Sequence, residues 1–387
     1  MAERIGSVVI EDVQPSVDGG RHAVKRDVGD EVLVSADVFK EGHDVLVAVA
    51  RWRQVSPAGA GTEWHESPMR AAGNDRYEGT FPVHVNGRYA FTVEAWPDLF
   101  ATWTEELQRK LEVGRDVASE LLEGAVLLEE TAARAPASSA DSLRFREVAA
   151  LLKKGNTPQA IAAALDPGLR AAASRHPDRS LASRADGERE IWVDRVRARF
   201  SAWYEFFPRS TDPSGKHGTF ITAIDALPRI RDLGFDTIYL PPIHPVGRTF
   251  RKGKNNTLTP EPDDVGSPWA IGNEHGGHDA IEPALGTIHD FDLFVEAARR
   301  RNMEVALDYA LQCSPDHPWA KQHPDWFHQR PDGTIAYAEN PPKKYQDIYP
   351  FHFESEEWKD LWNELREVFR FWVARGVRIF RVDNPHT

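Results

Sequence analysis

The sequence predicts a multidomain chain: an N-terminal β-sandwich with an inserted helical domain, followed by strands and helices that wind into a (β/α) barrel. Three observations carry this expectation. Short alternating segments separated by turn-rich stretches fill residues 1–103. Leu, Ala, Glu and Arg at helical spacing dominate residues 104–188. From residue 201 onward strand-like and helix-like segments alternate, the pattern of a parallel sheet closed by right-handed crossovers. A chain of 387 residues has room for two or three such domains.

Composition narrows the function classes. With 41% hydrophobic and 28% charged residues the chain reads as an ordinary globular protein. Its formal net charge of −13 argues against nucleic acid or an anionic membrane as the main partner. A single cysteine, Cys313, leaves no internal disulfide framework and favours a cytoplasmic location. No signal-peptide pattern opens the sequence, and no apolar run approaches membrane-spanning length.

In chain order, the expected sandwich strands fall at residues 8–13, 31–39, 46–53, 77–83 and 87–96, with turns such as Ser16 to Gly20 and Ser56 to Gly59 between them. Trp52, Trp64 and Trp96 are either core or stacking platforms for a glycan, core being the commoner fate of such aromatics. A long helix is expected over 105–134, a second over 141–154 after the Pro136 break, and a third from the Thr157 N-cap with Pro158 at its first position. This block holds no catalytic constellation; its apolar faces serve its own core or a subunit interface. Residues 189–200 alternate again, placing Trp192, Asp194, Val196, Ala198 and Phe200 on one side, so they read as a returning sandwich strand.

Barrel strands are expected near 202–206, 236–240, 304–309 and 377–382, and helices near 219–233, 290–301 and 356–375. The intervening loops at 241–289 and 310–355 are long and polar, and the second is expected to form a subdomain. Loops of that length usually carry function. In the last strand, alternation sets Arg381 and Asp383 on one face, and a guanidinium beside a carboxylate favours its ionised form. Asp383 is then available as a nucleophile or electrostatic stabiliser, or simply closes a structural ion pair.

The series Tyr204-Glu205-Phe206-Phe207-Pro208-Arg209-Ser210, Gly277-His278-Asp279, Ala284-Leu285-Gly286-Thr287, Ala306-Leu307-Asp308 and Gly376 to Asp383 resembles the α-amylase superfamily. The stretches Ile243 to Asn256, Gln312 to Trp319 and Glu339 to Asp347 are similar to one branch of it, the α-1,4-glucan:maltose-1-phosphate maltosyltransferases. The resemblance implies that residues 201–387 are the first four β/α units, the first half of a (β/α)8 TIM barrel truncated after its fourth strand. It implies a nucleophile at Asp383 oriented by Arg381, and His278 and Asp279 lining the subsite of the reacting sugar. Lys252, Gln312, Asp347 and Asn384 match contacts to maltose 1-phosphate, and Asn340, Lys343 and Tyr345 match its phosphate-side contacts. No cofactor is implied. Gln312-Cys313 replaces the superfamily's usual Asn-His, so neither a structural calcium nor any other metal is expected.

The implied partners are maltose 1-phosphate and an α-1,4-glucan, with a homodimer formed through the N-terminal domains. In this family the acid/base glutamate follows the fifth strand and a stabilising aspartate the seventh, so the chain alone is expected not to turn over. A phosphate-bearing donor needs cations, and Arg248, Arg251, Lys252 and Lys254 in one loop with Lys343 and Lys344 in the next are expected to converge on it. The alternatives are an amylase-like hydrolase or transglycosylase, which needs no phosphate site, and a non-catalytic glycan-binding protein. No helical His-Glu-x-x-His pair supports metal hydrolysis.

Overall fold

The computed structural model describes residues 6–55, 63–383 and 385. The expected turn at Ser56 to Gly59 and the site residue Asn384 lie outside the described residues. The chain divides into two compact units, Met1–Arg199 and Phe200–Thr387.

In the first unit the described residues form nine strands: β1 (Val9–Gln14), β2 (Val24–Asp27), β3 (Glu31–Phe39), β4 (Leu46–Gln54), β5 (His65–Gly73), β6 (Arg76–Pro82), β7 (Gly87–Pro97), β8 (Ser183–Arg184) and β9 (Arg189–Asp194). They follow one hydrogen-bonded path, β1-β3-β6-β5-β4-β7-β9-β2, with β8 on β7. The sequence pattern suggests two stacked sheets; the structure joins them through β5. Its first half, His65 to Met69, pairs with β4, whereas Arg70 to Gly73 pairs with β6 across a bulge between Ala71 and Gly73. A strand that changes partners midway turns a corner, so both halves of the sheet bury Val32, Val34, Phe81, Phe91, Val93, Ile191 and Val193 in one core. Neither β2 nor β5 has a strand-like sequence: β2 reads Val-Lys-Arg-Asp, and β5 carries Glu66, Pro68 and Arg70.

Five helices stand between β7 and β8: α1 (Leu99–Glu112), α2 (Ala118–Arg134), α3 (Ala140–Leu152), α4 (Pro158–Ala164) and α5 (Pro167–Ala173). The single helix expected over 105–134 is two helices, because Gly114 adopts a positive φ of 70° that ends α1. Asp98, Ser139, Thr157 and Asp166 side chains each accept a backbone N–H at a helix start. Leu107, Leu121, Leu128, Phe145, Leu152 and Leu169 form a core of their own. β9 pairs antiparallel with β7 and parallel with β2, but it ends at Asp194; a 3-10 turn over Val196–Ala198 replaces the strand expected to reach Phe200. Trp52 stacks on Phe81 at 5.1 Å, Trp96 lies buried under Arg179, and Trp64 faces Arg51 and Arg53.

The second unit holds four parallel strands in chain order: β10 (Trp203–Glu205), β11 (Thr237–Leu240), β12 (Glu304–Ala310) and, after four short strands, β17 (Ile379–Asp383). The short strands make two small ladders, β13 (Gln312–Cys313) with β16 (Tyr349–Pro350) and β14 (Ala338–Asn340) with β15 (Lys343–Tyr345). Helices α6 (Phe220–Ile224), α7 (Leu227–Asp232), α8 (Ile288–Arg300), α9 (Pro318–Gln322) and α10 (Trp358–Ala374) fill the crossovers and loops. The helix expected over 219–233 is split: α6 opens on a Thr219–Thr222 capping box, and Pro228 sits in the first turn of α7. One face of the sheet, with Ile238, Leu240, Val305, Leu307 and Tyr309, packs on Phe291, Phe294, Leu365 and Trp372. The period-two rule then sends Tyr239, Asp308, Arg381 and Asp383 to the other face. Among the described residues no helix is long and apolar enough to cross a membrane.

Candidate active site

Register brings the polar residues of that second face together. Asp308 stands opposite Arg381, and Ala310 opposite Asp383, on adjacent parallel strands. Tyr239 Oη donates to Asp308 Oδ2, and Arg381 Nη1 donates both to that oxygen, at 3.0 Å, and to Asp383 Oδ1. The Asp308 side chain is fully buried, that of Asp383 is 14% exposed, and Arg381 is open at 43%. Burial pushes Asp308 up to about 6; the Tyr239 hydroxyl and the Arg381 charge oppose the rise, and the Asp383 charge adds to it. Burial, together with the Asp308 carboxylate, also raises the Tyr239 phenol. One guanidinium therefore bridges the Asp308 and Asp383 carboxyl groups.

Asp383 opens onto a cleft of about 600 Å³. Its walls include Trp269, Gln312, Asn340, Tyr345 and Asp347. Gln312 Nε2 reaches the Trp269 carbonyl at 3.5 Å, at the limit of a hydrogen bond. Asp347 is almost sealed; burial raises its carboxyl, and Lys252, whose Nζ lies 3.8 Å from Oδ1, pulls it back. That separation is too long for a hydrogen bond, and Oδ1 is buried without a hydrogen-bond partner. On the β14–β15 hairpin, directly paired residues share a face, and the pairs are Ala338 with Tyr345 and Asn340 with Lys343. Ala338, Glu339, Asn340 and Tyr345 line the cleft, whereas Lys343 is exposed and is not part of its lining.

Other expected site residues are placed elsewhere. His278 is 1% exposed and serves protein partners with both ring nitrogens. The Trp319 amide donates to His317 Nδ1 at 3.0 Å, which leaves His317 Nε2–H for His278 Nδ1 at 3.2 Å and His278 Nε2–H for the Ala310 carbonyl at 3.0 Å. Burial holds His278 well below the usual histidine range and His317 down to about 3, so both rings are neutral. Asp279 is exposed beside Glu364, Glu367 and Arg370 of α10, away from the cleft. The basic cluster also disperses: Arg248 pairs with Glu274 at 2.7 Å, and Lys254 faces Glu261. Arg251 donates to the carbonyls of Val246, Gly247 and Asp264. Of the four, Lys252 is the one that approaches a wall residue of the cleft, its buried side chain lying against Asp347.

Tyr239, Asp308 and Trp269 join the site without having been singled out for it. Strand alternation with Ile238 and Leu240 gives the first away, and alternation with Leu307 and Tyr309 the second. Trp269 sits in a long irregular loop whose path no periodicity describes. Among the described residues no three His, Cys, Asp or Glu side chains converge as a metal would require.

Sequential parallel strands with an Asp–Arg–Asp cluster at their C-terminal ends, above a sugar-sized cleft, define the class of β/α enzymes that keep their chemistry in the loops after the strands. Comparison with known proteins narrows that class. Residues 6–195 match the family "Alpha-1,4-glucan:maltose-1-phosphate maltosyltransferase, domain N/S". The maltosyltransferase of Myxococcus xanthus is 60% identical over 390 aligned residues, which cover all of this chain and 59% of that protein. The one from Chlorobaculum tepidum is 51% identical, over 98% of this chain and 56% of the relative. Among solved structures, an α-amylase from Lactobacillus plantarum superposes on 48% of this chain and 38% of its own, at 28% identity and a TM-score of 0.40. The chain belongs to the α-1,4-glucan:maltose-1-phosphate maltosyltransferase family, and it spans somewhat under three fifths of the length of these two curated relatives.

Proposed function

We propose that this chain carries the nucleophile and the donor pocket of a retaining maltosyltransferase built on a (β/α)8 barrel. The observation that carries the reading is the convergence of Asp383, Gln312, Asn340, Tyr345 and Asp347 on one cleft, with Lys252 against Asp347. The Asp383 carboxylate attacks the anomeric carbon of α-maltose 1-phosphate; the C1–O bond breaks and phosphate departs with its electron pair. The resulting β-maltosyl ester is attacked by the non-reducing-end 4-hydroxyl of an α-1,4-glucan, Asp383 leaves, and two inversions restore the α-configuration.

Arg381 fixes the attacking carboxylate on the inner face and shares its charge with Asp308. Lys252, Gln312 and Asp347 take sugar hydroxyls: the gap between Lys252 Nζ and Asp347 Oδ1 leaves donor and acceptor capacity for a ligand. Asn340, Lys343 and Tyr345 receive the phosphate, Lys343 as a point charge. In the family the acid/base glutamate belongs to the fifth strand. His278 acts only through the Ala310 carbonyl beside Asp383, not on the sugar.

The test is covalent trapping. A 2-deoxy-2-fluoro-maltosyl fluoride, whose fluoride departs without needing an acid, should label the 387-residue chain at Asp383. Peptide mass spectrometry that finds the sugar on another residue would falsify the assignment. The chain is also proposed to pair with a second copy through its N-terminal unit, where Leu122 and Val126 stand one turn apart on α2 at 53% and 51% exposure.

A further inference from the structure

A second cavity lies at the ends of β10 and β11, lined by residues other than those around Asp383. It measures about 230 Å³, room for a small molecule and not for a glucan chain. Its walls mix polar groups with an apolar side that includes Pro241, Pro242, Val246, Pro268 and Leu285. Arg209 faces it. Arg209 is half-buried, its guanidinium stacks on Phe207 at 4.7 Å, and among the described residues it has no hydrogen bond or ion pair. Burial alone shifts it, downward, and no carboxylate offsets that burial.

The cavity's buried or partly buried charged groups other than Arg209 are already committed. Arg251 donates to three carbonyls, Asp264 accepts the Glu261 amide, and Glu282 accepts the amides of Val246 and Ala284. Asp263 is exposed and not paired with Arg209. His217 Nδ1–H donates to the Gly218 carbonyl at 2.8 Å, so its Nε2 is an acceptor for a ligand hydroxyl. A half-desolvated guanidinium with five open donors is costly to leave unpaired, and it favours planar or tetrahedral oxyanions.

We propose that this cavity is a second ligand site, one that takes a small organic oxyanion: a carboxylate or phosphate monoester seated on Arg209, with its apolar body against the proline wall. The site does not rest on the maltosyl reading. Arg251 lines the cavity, and the next residue, Lys252, approaches Asp347 of the other cleft.

The test is calorimetric titration of the whole chain with phenyl phosphate, benzoate and phenol as probes. Phenyl phosphate or benzoate should bind with a Kd at or below about 1 mM, whichever binds tighter naming the oxyanion, and phenol should bind at least about tenfold more weakly. Arg209→Gln should weaken the tighter probe by about tenfold or more, Arg209→Lys by less, and Lys153→Ala, just beyond α3 and in the lining of neither cavity, not at all. Unchanged circular dichroism certifies that the variants fold. Absence of binding by both anions, equal binding of phenol, or an Arg209→Gln variant that binds like the parent overturns the proposal.

Discussion

Asp308 illustrates how a single buried carboxylate sets the character of the site. Its folded-state pKa lies near 6, above the ordinary 3.8, so between about pH 4 and 6 the folded chain holds a proton that the unfolded chain has released. Stability from this group therefore rises as pH falls through 6 and is fully gained near 4, on the order of 3 kcal/mol. Asp308→Asn should flatten that part of the stability profile, measured by urea unfolding across the range; an unchanged slope would show that Asp308 titrates normally. Lys343 makes a different kind of prediction. Lys343→Ala should weaken calorimetric binding of maltose 1-phosphate about tenfold or more while leaving maltose unaffected, because only the phosphate meets the ammonium. Equal losses for both sugars would remove the phosphate role and favour a hydrolase.

At the scale of elements, the site depends on loops held by close approach. Gly272 and Gly277 lie against the His317 ring so tightly that a Cβ on either would overlap it, and Gly272 also has a φ of 106°. Gly277→Ala should push His317 away, break its bond to His278 and cost about 1–3 kcal/mol or more, read as a lower urea midpoint. A midpoint equal to the parent's would mean the loop yields freely. The histidine chain ends on Ala310, the register partner of Asp383, so the same variant should also slow trapping at Asp383.

For the whole molecule, the proposed self-association has a simple readout. Light scattering should return about twice the 43.6 kDa chain mass, and Leu122→Glu with Val126→Glu should return the single-chain mass, because burying two carboxylates in an apolar contact is costly. A monomer in the parent protein ends the idea.

Local sequence determined most of the elements and one half of the site. Period-two alternation placed β3 to the residue, put the inner ends of β11, β12 and β17 within a residue or two, and set Arg381 and Asp383 on a common face, because side-chain direction along a strand is a local property. Capping chemistry likewise marked the start at Thr157. Tertiary structure decided what local pattern does not encode: the partner switch in β5, the sealing of His278, and the dispersal of the basic loop residues to Glu274, Glu261 and three carbonyls. Whether a lysine meets a ligand, a carboxylate or water depends on which distant segment folds over it, and that is settled only when the long loops pack.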